Sequence, residues 1–264
     1  MERQMPRTNL NTRPPLTSWL GGKRLLAKEI INRFPDHACY VEPFAGAAWV
    51  LFRKEESKVE VINDINKDII TLYRVVQNHL EEFVRYYKWM LISRDEFTRL
   101  QTVPPETLTD IQRSARFYYI HQMSFSGLGR CFGYATTTKP KLNLLRIEEQ
   151  LSEAHLRLSR VVIECLPYAD VIDRYDRPHT LFYVDPPYWN CENDYGKGIF
   201  GKDDFLFLAD RFQRIKGKGI ISLNDTPEIR KIFAAFRLEQ VFTKYLISGD
   251  QKGKPRAELL IYNW

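Results

Sequence analysis

Two periods of apolar residues alternate along this chain, and they predict strands and helices in turn. Short apolar runs are typical of buried strands, whereas apolar residues repeating every three or four positions are typical of helices packed on one face. Strands are predicted at 39–41, 59–62, 161–165, 181–184 and 219–223, and helices at 26–34, 50–52, 67–90, 146–159 and 205–215. This alternation predicts an α/β protein.

The alternation stops in the middle of the chain. Residues 111–147 contain no aspartate or glutamate, although six arginines and lysines fall there. Within them, residues 125–134 are rich in glycine, which predicts a loop or hairpin with Arg130 at its tip. We interpret 75–150 as an insertion into a sheet domain formed by 14–74 and 151–264, preceded by a flexible leader at 1–13.

Two further strands are predicted near the end of the chain, at 238–245 and 258–262. Their short connection predicts an antiparallel pair at the edge of the sheet. The predicted fold class is therefore an α/β sheet that is mixed because of this edge hairpin, with a mainly helical insertion that contains a hairpin of its own.

The clearest candidate for chemistry is Asp185-Pro186-Pro187-Tyr188, directly after the strand at 181–184. Proline cannot donate to a strand ladder, so pairing is expected to end here. Open α/β sheets bind ligands at the carboxyl edge of their strands. A carboxylate, a prolyl carbonyl and an aromatic ring suit a flat ligand with an exocyclic amino group, such as a nucleobase. The alternative is a Pro-Pro turn followed by a surface tyrosine.

Weaker signals lie elsewhere, each with a structural alternative. Lys23 and the glycines before it stand at a predicted helix start, where backbone N–H groups and a lysine suit a carboxylate, unless the lysine is simply solvated. Small residues at 44–48 allow a tight turn and close approach of a ligand. Asp64 has the spacing of the acidic residue that binds ribose in nucleotide-binding folds, or it caps the next helix. Residues 168–170 bind a ligand or form a polar turn.

Composition and charge indicate the class of binding partner and the cellular compartment. The net charge of +6 and the pI near 9.0 favour a polyanionic partner. No apolar run reaches the roughly 20 residues of a membrane span, and the basic N-terminus lacks the apolar core of a secretory signal. The four cysteines include no CxxC pair. We therefore expect neither a metal site nor a disulfide framework, and a cytoplasmic location.

Taken in order, these motifs resemble those of the Dam-type DNA adenine-N6 methyltransferases. The chain carries WLGGK at 19–23, PFAGAA at 43–48, NDIN at 63–66 and DPPY at 185–188, with further similar residues at 125–130, 168–170, 222–225 and 257–260. The resemblance runs from about Pro14 to Tyr262. It implies a Rossmann-like S-adenosylmethionine-dependent domain and a target-recognition insertion. It also implies a monomer that acts on double-stranded DNA, without a metal, in a bacterial or phage-infected cell.

The resemblance implies a site for S-adenosylmethionine. Lys23 and the backbone before it suit the carboxylate, and Asp64 suits the ribose hydroxyls. Tyr168 and Asp170 suit the adenine ring and its amino group. The residues implied to bind the cofactor are Trp19, Gly21, Gly22, Lys23, Pro43, Phe44, Gly46, Ala47, Ala48, Asp64, Tyr168, Asp170 and Asp185.

The same resemblance implies roles in catalysis and in DNA binding. The catalytic residues are Asp185, Pro186, Pro187 and Tyr188. The target adenine must leave the duplex; Tyr188 would stack on it, while Asp185 and the Pro186 carbonyl accept hydrogens from its amino group. The implied DNA-binding residues are Arg116, Ser126, Arg130, Lys139 and Lys141. Arg130 is expected to read a guanine, the alternative being a phosphate contact.

Two positions depart from the family pattern. Ala48 stands where the family has a glycine, and an alanine is expected to fit if the backbone keeps a negative φ. After Arg130, Cys131-Phe132-Gly133 replaces the usual polar-aromatic pair.

The leading hypothesis is a site-specific DNA adenine-N6 methyltransferase. One alternative is the same chemistry on cytosine N4 or on RNA adenine, although an aspartate before Pro-Pro-Tyr favours adenine. A second is a module that binds DNA or the cofactor without catalysis, which the intact DPPY motif argues against. A third is a nucleotide-fold protein of another function, which leaves the acid-free stretch at 111–147 unexplained.

Overall fold

The computed structural model of the chain describes residues 12–17, 19, 21–192, 196, 198–244 and 255–264, with the side chains of 126, 243, 244, 255 and 256 outside this description. The described residues pack as two compact units. The first contains the residues up to Lys28 together with Gly46–Glu56 and Asn66–Cys165, and the second contains Glu29–Ala45, Ser57–Ile65 and Leu166–Trp264. Helix α1 (Ala27–Ile31) begins in the first range and ends in the second.

The first unit is mainly helical. Its elements are α2 (Trp49–Arg53), α3 (Lys67–Asn78), α4 (Leu80–Tyr87), α5 (Arg94–Thr102), α6 (Asp110–Met123), α7 (Ile147–Leu158) and the short strand β3 (Val162–Glu164). Helix α3 packs against α6 and α7. Polar caps define three of the helix starts, since Asn66, Ser93 and Thr109 accept backbone N–H groups of α3, α5 and α6.

The second unit contains six strands of the seven-stranded sheet. These are β1 (Cys39–Glu42), β2 (Val59–Asn63), β4 (Thr180–Val184), β5 (Lys218–Asn224), β6 (Arg237–Lys244) and β7 (Pro255–Tyr262), in the order β2-β1-β4-β5-β7-β6. The first four are parallel, and β7 runs antiparallel to both of its neighbours. The predicted mixed sheet with an antiparallel pair at its edge is confirmed.

Helices α8 (Tyr168–Tyr175), α9 (Lys202–Arg214) and α10 (Pro227–Ile232) belong to the same unit. One face of the sheet forms a core with them, and Phe182, Val184, Ile221 and Leu223 are buried in it. Because side chains alternate along a strand, the residues between these project from the opposite face.

The predicted helix at 67–90 is wrong in one respect. The chain forms two helices, α3 and α4, which are interrupted at His79 with φ −136 and ψ 35. No glycine or proline marks this break. The turn lets Phe83 and Tyr87 of α4 pack on Tyr118 of α6, at ring-centroid distances of 5.6 and 5.9 Å, so tertiary packing outweighs the continuous helical pattern.

Three other predictions can be compared with the structure. The stretch at 125–134 contains a 3-10 turn, Phe125–Gly127, and an isolated antiparallel bridge between Ser124 and Phe132. Tyr168 opens helix α8, so residues 168–170 are the first turn of a helix and not a polar turn. The predicted insertion at 75–150 lies inside the first unit, and its separate role stays a prediction.

The predicted leader at 1–13 lies outside the described residues except for Thr12 and Arg13; Thr12 is buried. Across the described part of the chain, every helix is too short or too polar to cross a bilayer.

Candidate active site

In the second unit, predicted site residues follow the carboxyl ends of three neighbouring strands. Pro43 and Phe44 come after β1, Asp64 after β2, and Asp185 after β4. Strand β1 pairs in parallel with both β2 and β4, so these ends lie at one edge of the sheet. This is the edge at which open α/β sheets bind ligands.

Asn63, the last residue of β2, forms hydrogen bonds with two other segments at this edge of the sheet. Its side-chain amide donates to the carbonyl oxygens of Pro43 (2.9 Å) and Leu166 (3.0 Å), and its Oδ1 accepts the N–H of Leu166 (2.8 Å). One buried side chain thereby holds the turn after β1 and the segment leading into α8. No role was predicted for Asn63, and its place at a strand end was the available signal.

Tyr168 stacks on Phe44, with ring centroids 5.0 Å apart and an interplanar angle of 29°. Its hydroxyl donates to Asp204 Oδ1 at 3.1 Å, and Phe200 contacts both rings. Burial, and then the Asp204 carboxylate, raise the pKa of Tyr168, so its hydroxyl stays protonated. Phe200 and Asp204 thus surround Tyr168, which was predicted to suit an adenine ring. Neither of these two residues was predicted from the sequence.

The two acidic residues predicted to bind the cofactor differ in exposure. Asp64 is half-buried, and Asp170 is exposed on the first turn of α8. The alternative role of Asp64 as a helix cap is wrong, because Asn66 is the residue that caps α3. Asp64 therefore keeps its interpretation as a ligand-binding carboxylate, which stays a prediction.

The Asp185–Tyr188 stretch continues directly from β4. Pro186 and Pro187 are buried, and Tyr188 is half-buried with its ring against the core of the sheet. The hydroxyl of Ser222 on β5 donates to Asp185 Oδ1 at 3.1 Å. The carboxylate is thus held from the neighbouring strand.

Asn224, at the end of β5, holds the residue after this stretch. Its Oδ1 accepts the N–H of Trp189 at 2.9 Å, and its Nδ2 donates to the Trp189 carbonyl at 3.1 Å. Lys202 lies over the Trp189 ring, 4.7 Å from its centroid. These contacts fix the chain direction immediately after Tyr188. Residues 222–225 are among the motifs that carry the family resemblance, but none of these three contacts was predicted from the sequence.

In the first unit, Lys23 is only 3% exposed, and its Nζ donates to the carbonyl of Gly21 at 3.2 Å. Gly21 has φ 72, a value that favours glycine. A buried ammonium needs polar or anionic partners. The alternative of a solvated Lys23 is therefore wrong. The buried ammonium suits an anionic ligand.

The turn at 46–48 is shaped by two left-handed residues. Gly46 has φ 46, and a Cβ there would lie 2.7 Å from Nε1 of Trp19, so the indole occupies the space beside this glycine. Ala48 has φ 51 and ψ 36. The condition given for an easy fit of Ala48, a negative φ, is therefore not met, and its left-handed conformation costs roughly 1–2 kcal/mol. Ala47 is buried between them.

Trp19 packs on helix α6. Its ring centroid lies 5.2 Å from that of His121 and 6.1 Å from that of Phe117. Together with the contact at Gly46, this places Trp19 as the packing partner of the glycine turn.

The glycine-rich loop, residues 124–133, is also part of the first unit. Ser124 Oγ accepts the N–H of Gly129 at 2.9 Å, and Phe125 N–H donates to the Cys131 carbonyl at 2.8 Å. From α5, Gln101 Nε2 donates to the carbonyls of Gly129 (2.7 Å) and Arg130 (3.1 Å). The main chain of the loop is thereby fixed while the Arg130 side chain is exposed.

The other predicted DNA-binding residues differ in their surroundings. Arg116 donates to the carbonyls of Leu100 (2.7 Å) and Gln101 (3.4 Å) at the end of α5, which gives it a structural role, while its DNA contact stays a prediction. Lys139 and Lys141 are exposed. Ser126 lies in the 3-10 turn, and its side chain is outside the described residues.

Comparison with known proteins agrees with this geometry. A model of the family described as "D12 class N6 adenine-specific DNA methyltransferase" matches residues 19–247. The chain is 26% identical to "Type II methyltransferase M.MjaIII" of Methanocaldococcus jannaschii, over 95% of this chain and 99% of that protein. It is 28% identical to "DNA adenine methylase" of Escherichia coli K12, over 92% of each. It is also 26% identical to "Type II methyltransferase M.CviBI" of Paramecium bursaria Chlorella virus NC1A, over 88% of this chain and 90% of that protein.

Proposed function

This chain belongs to the D12 class N6 adenine-specific DNA methyltransferases, and we propose that it transfers a methyl group from S-adenosylmethionine to the N6 of an adenine flipped out of duplex DNA. We also propose that it acts as a monomer in the cytoplasm. The observation that carries the proposal is the Asp185–Tyr188 stretch at the end of β4. There a carboxylate held by Ser222, a prolyl carbonyl and an aromatic ring follow one another at the ligand-binding edge of the sheet.

The residues of each unit fit the proposed cofactor. In the second unit, Asp64 follows β2 and suits two ribose hydroxyls, while the stacked rings of Phe44 and Tyr168 suit an adenine. In the first unit, the buried ammonium of Lys23 suits a carboxylate. When bound, S-adenosylmethionine supplies a methyl group on an electrophilic sulfonium.

The chain's own residues act mainly by orientation. Tyr188 stacks on the extruded base, and Asp185 with the Pro186 carbonyl accepts the two hydrogens of the amino group. These hydrogen bonds turn the nitrogen lone pair out of conjugation with the ring and towards the methyl donor. Holding reacting groups in line supplies much of the rate enhancement in such displacements. Because the nitrogen attacks as a neutral amine, its proton can leave after the new bond has formed.

Binding to DNA is proposed to involve the first unit. Exposed Arg130, Lys139 and Lys141 lie within the acid-free stretch at 111–147. Arg130 is proposed to contact the edge of a guanine, and the lysines to contact phosphates.

The function is tested by incubating the chain with duplex DNA of random sequence and S-adenosylmethionine labelled in the methyl group. We expect label in N6-methyladenine, within a limited set of sequence contexts. Label in N4-methylcytosine, transfer to RNA in preference to duplex DNA, or binding without transfer would each contradict the proposal.

The cofactor site is tested separately by Asp64→Ala. Loss of a hydrogen bond to a charged group costs about 1.5–3 kcal/mol, so calorimetry should show affinity for S-adenosylmethionine weakened ~10- to 150-fold. Asp225→Ala is the matched control, because Asp225 also follows a strand but is bound to Arg230 and Gln240. Equal affinities for the wild-type chain and Asp64→Ala would remove Asp64 from the cofactor site.

A further inference from the structure

The hydroxyl groups of Tyr183 and Ser222 form a series of hydrogen bonds that ends at the Asp185 carboxylate. Tyr183 lies on β4, and Asp185 follows two residues later, directly after the end of the strand, so the alternation of side chains places both on the same face of the sheet. Strand β5 pairs Ile220 with Tyr183 and Ile221 with Val184. One further step in this register brings Ser222 beside Asp185.

The direction of these hydrogen bonds follows from the number of hydroxyl hydrogens available. Ser222 has a single hydroxyl hydrogen, and it points to Asp185 Oδ1 at 3.1 Å. The 2.9 Å contact between the Tyr183 and Ser222 oxygens must then use the hydrogen of Tyr183. Burial, and then the charge of Asp185, raise the pKa of Tyr183 well above its ordinary value, so the phenol keeps this hydrogen at neutral pH.

We infer that Ser222, supported by Tyr183, is a positioning residue that sets the orientation of the Asp185 carboxylate towards the target amino group. The terminal torsion of an aspartate is intrinsically broad, yet an acceptor for an amino hydrogen must point in one direction. Ser222 is fully buried on a central strand and Tyr183 is 2% exposed, so their positions are set by the sheet. The inference rests on the proposed role of Asp185.

The test compares Ser222→Ala, Tyr183→Phe and the double variant in the full chain. Single-turnover methyl transfer to duplex DNA should fall about 10- to 100-fold in Ser222→Ala, the loss expected when a reacting group is misplaced. Affinities for S-adenosylmethionine and for DNA should stay within about twofold. Tyr183→Phe should lose less, because Ser222 still donates to Asp185.

The double variant separates positioning from stability. Ser222→Ala alone leaves the buried Tyr183 hydroxyl without its acceptor, whereas removing both partners is close to neutral for stability. We expect the double variant to regain the melting temperature lost in Ser222→Ala but to keep the low transfer rate. Tyr262→Phe is the matched control for Tyr183→Phe, because it also removes the hydroxyl of a buried tyrosine, in this case one that donates to the Glu239 carboxylate, and it should transfer at the wild-type rate.

A wild-type rate in Ser222→Ala, or a rate that recovers together with stability in the double variant, would overturn the inference while leaving the proposed function intact. Failure of the wild-type chain to methylate adenine would overturn the proposed function itself.

Discussion

The strand-end cluster (Tyr183, Asp185 and Ser222) and the glycine-rich loop (residues 124–133) are held in opposite ways. In the cluster, side chains bond to one another from adjacent strands, and Ser222 is fully buried. The loop is held through its main chain, which accepts hydrogen bonds from Gln101 of α5 and donates one to Ser124. The side chain of Arg130 stays exposed. The cluster fixes functional atoms directly, whereas the loop fixes only the backbone that carries them.

This difference matches the tasks proposed for the two regions, methyl transfer for the cluster and contact with DNA for the loop. Transfer of a methyl group requires atoms placed within a fraction of an ångström. Contact with a base edge in a groove requires a long side chain that reaches out from a narrow turn. We therefore expect changes in the cluster to alter the rate at every site, and changes in the loop to alter the choice of site.

The largest effect is expected from Asp185→Ala. It removes the carboxylate that accepts the amino hydrogen, so single-turnover transfer should fall by at least ~10³-fold on every DNA sequence. Affinity for S-adenosylmethionine, measured by calorimetry, should stay nearly unchanged, because the carboxylate is proposed to contact the target amino group; a large loss of affinity would instead assign Asp185 to the cofactor site. A tenfold change in rate corresponds to about 1.4 kcal/mol in the activation free energy. A transfer rate within about tenfold of the wild type would show that the cluster does not act in the chemical step.

Arg130→Ala should have a smaller effect, of a different kind. Loss of a bidentate contact to guanine costs about 1–3 kcal/mol at one base pair and relaxes the methylated sequence there. Mapping of methylated adenines in random DNA should show this relaxation at a single position. Lys139→Ala is the control, since a phosphate contact should weaken all sites alike; the same uniform loss in Arg130→Ala would assign it to the backbone.

Gln101→Ala should have the smallest effect. It removes two hydrogen bonds to the loop at an exposed position, each worth about 0.5–1.5 kcal/mol. Discrimination at the position read by Arg130 should fall about two- to tenfold, with the transfer rate at the preferred site within twofold of the wild type. Gln112→Ala, which breaks the capping box of α6, should leave discrimination unchanged. Equal discrimination in both variants would mean that α5 does not hold the loop for recognition.

The regular elements of the second unit were predictable from the sequence because their signal is local. The apolar run at 181–184 and the prolines after it define both the strand and its end. The alternation of strands and helices likewise predicted the fold class. A chemical role for Asp185 and Tyr188 could be proposed for the same reason, since both residues belong to one short motif.

Features that depend on residues distant in the chain were not predictable. Ser222 meets Asp185 only through the register of β4 and β5. The break at His79 comes from packing against α6, and the left-handed conformation of Ala48 contradicts the local preference of alanine. Asn66, and not Asp64, caps α3, although both residue types are good caps, so residue type alone did not identify the cap. For Ser222 and for the break at His79, contacts with residues distant in the chain decide between local alternatives.

The attachment of the glycine-rich loop through main-chain carbonyls bears on how new specificities could evolve if Arg130 contacts a base as proposed. Gln101 contacts the carbonyls of residues 129 and 130, and every amino acid has a carbonyl. Position 129 is constrained, since its φ of 73 favours glycine. Position 130 is not, so it can exchange one side chain for another without loosening the loop. A lineage can therefore vary the base contact proposed for Arg130 by single substitutions at 130, each starting from a protein that still folds and still methylates DNA.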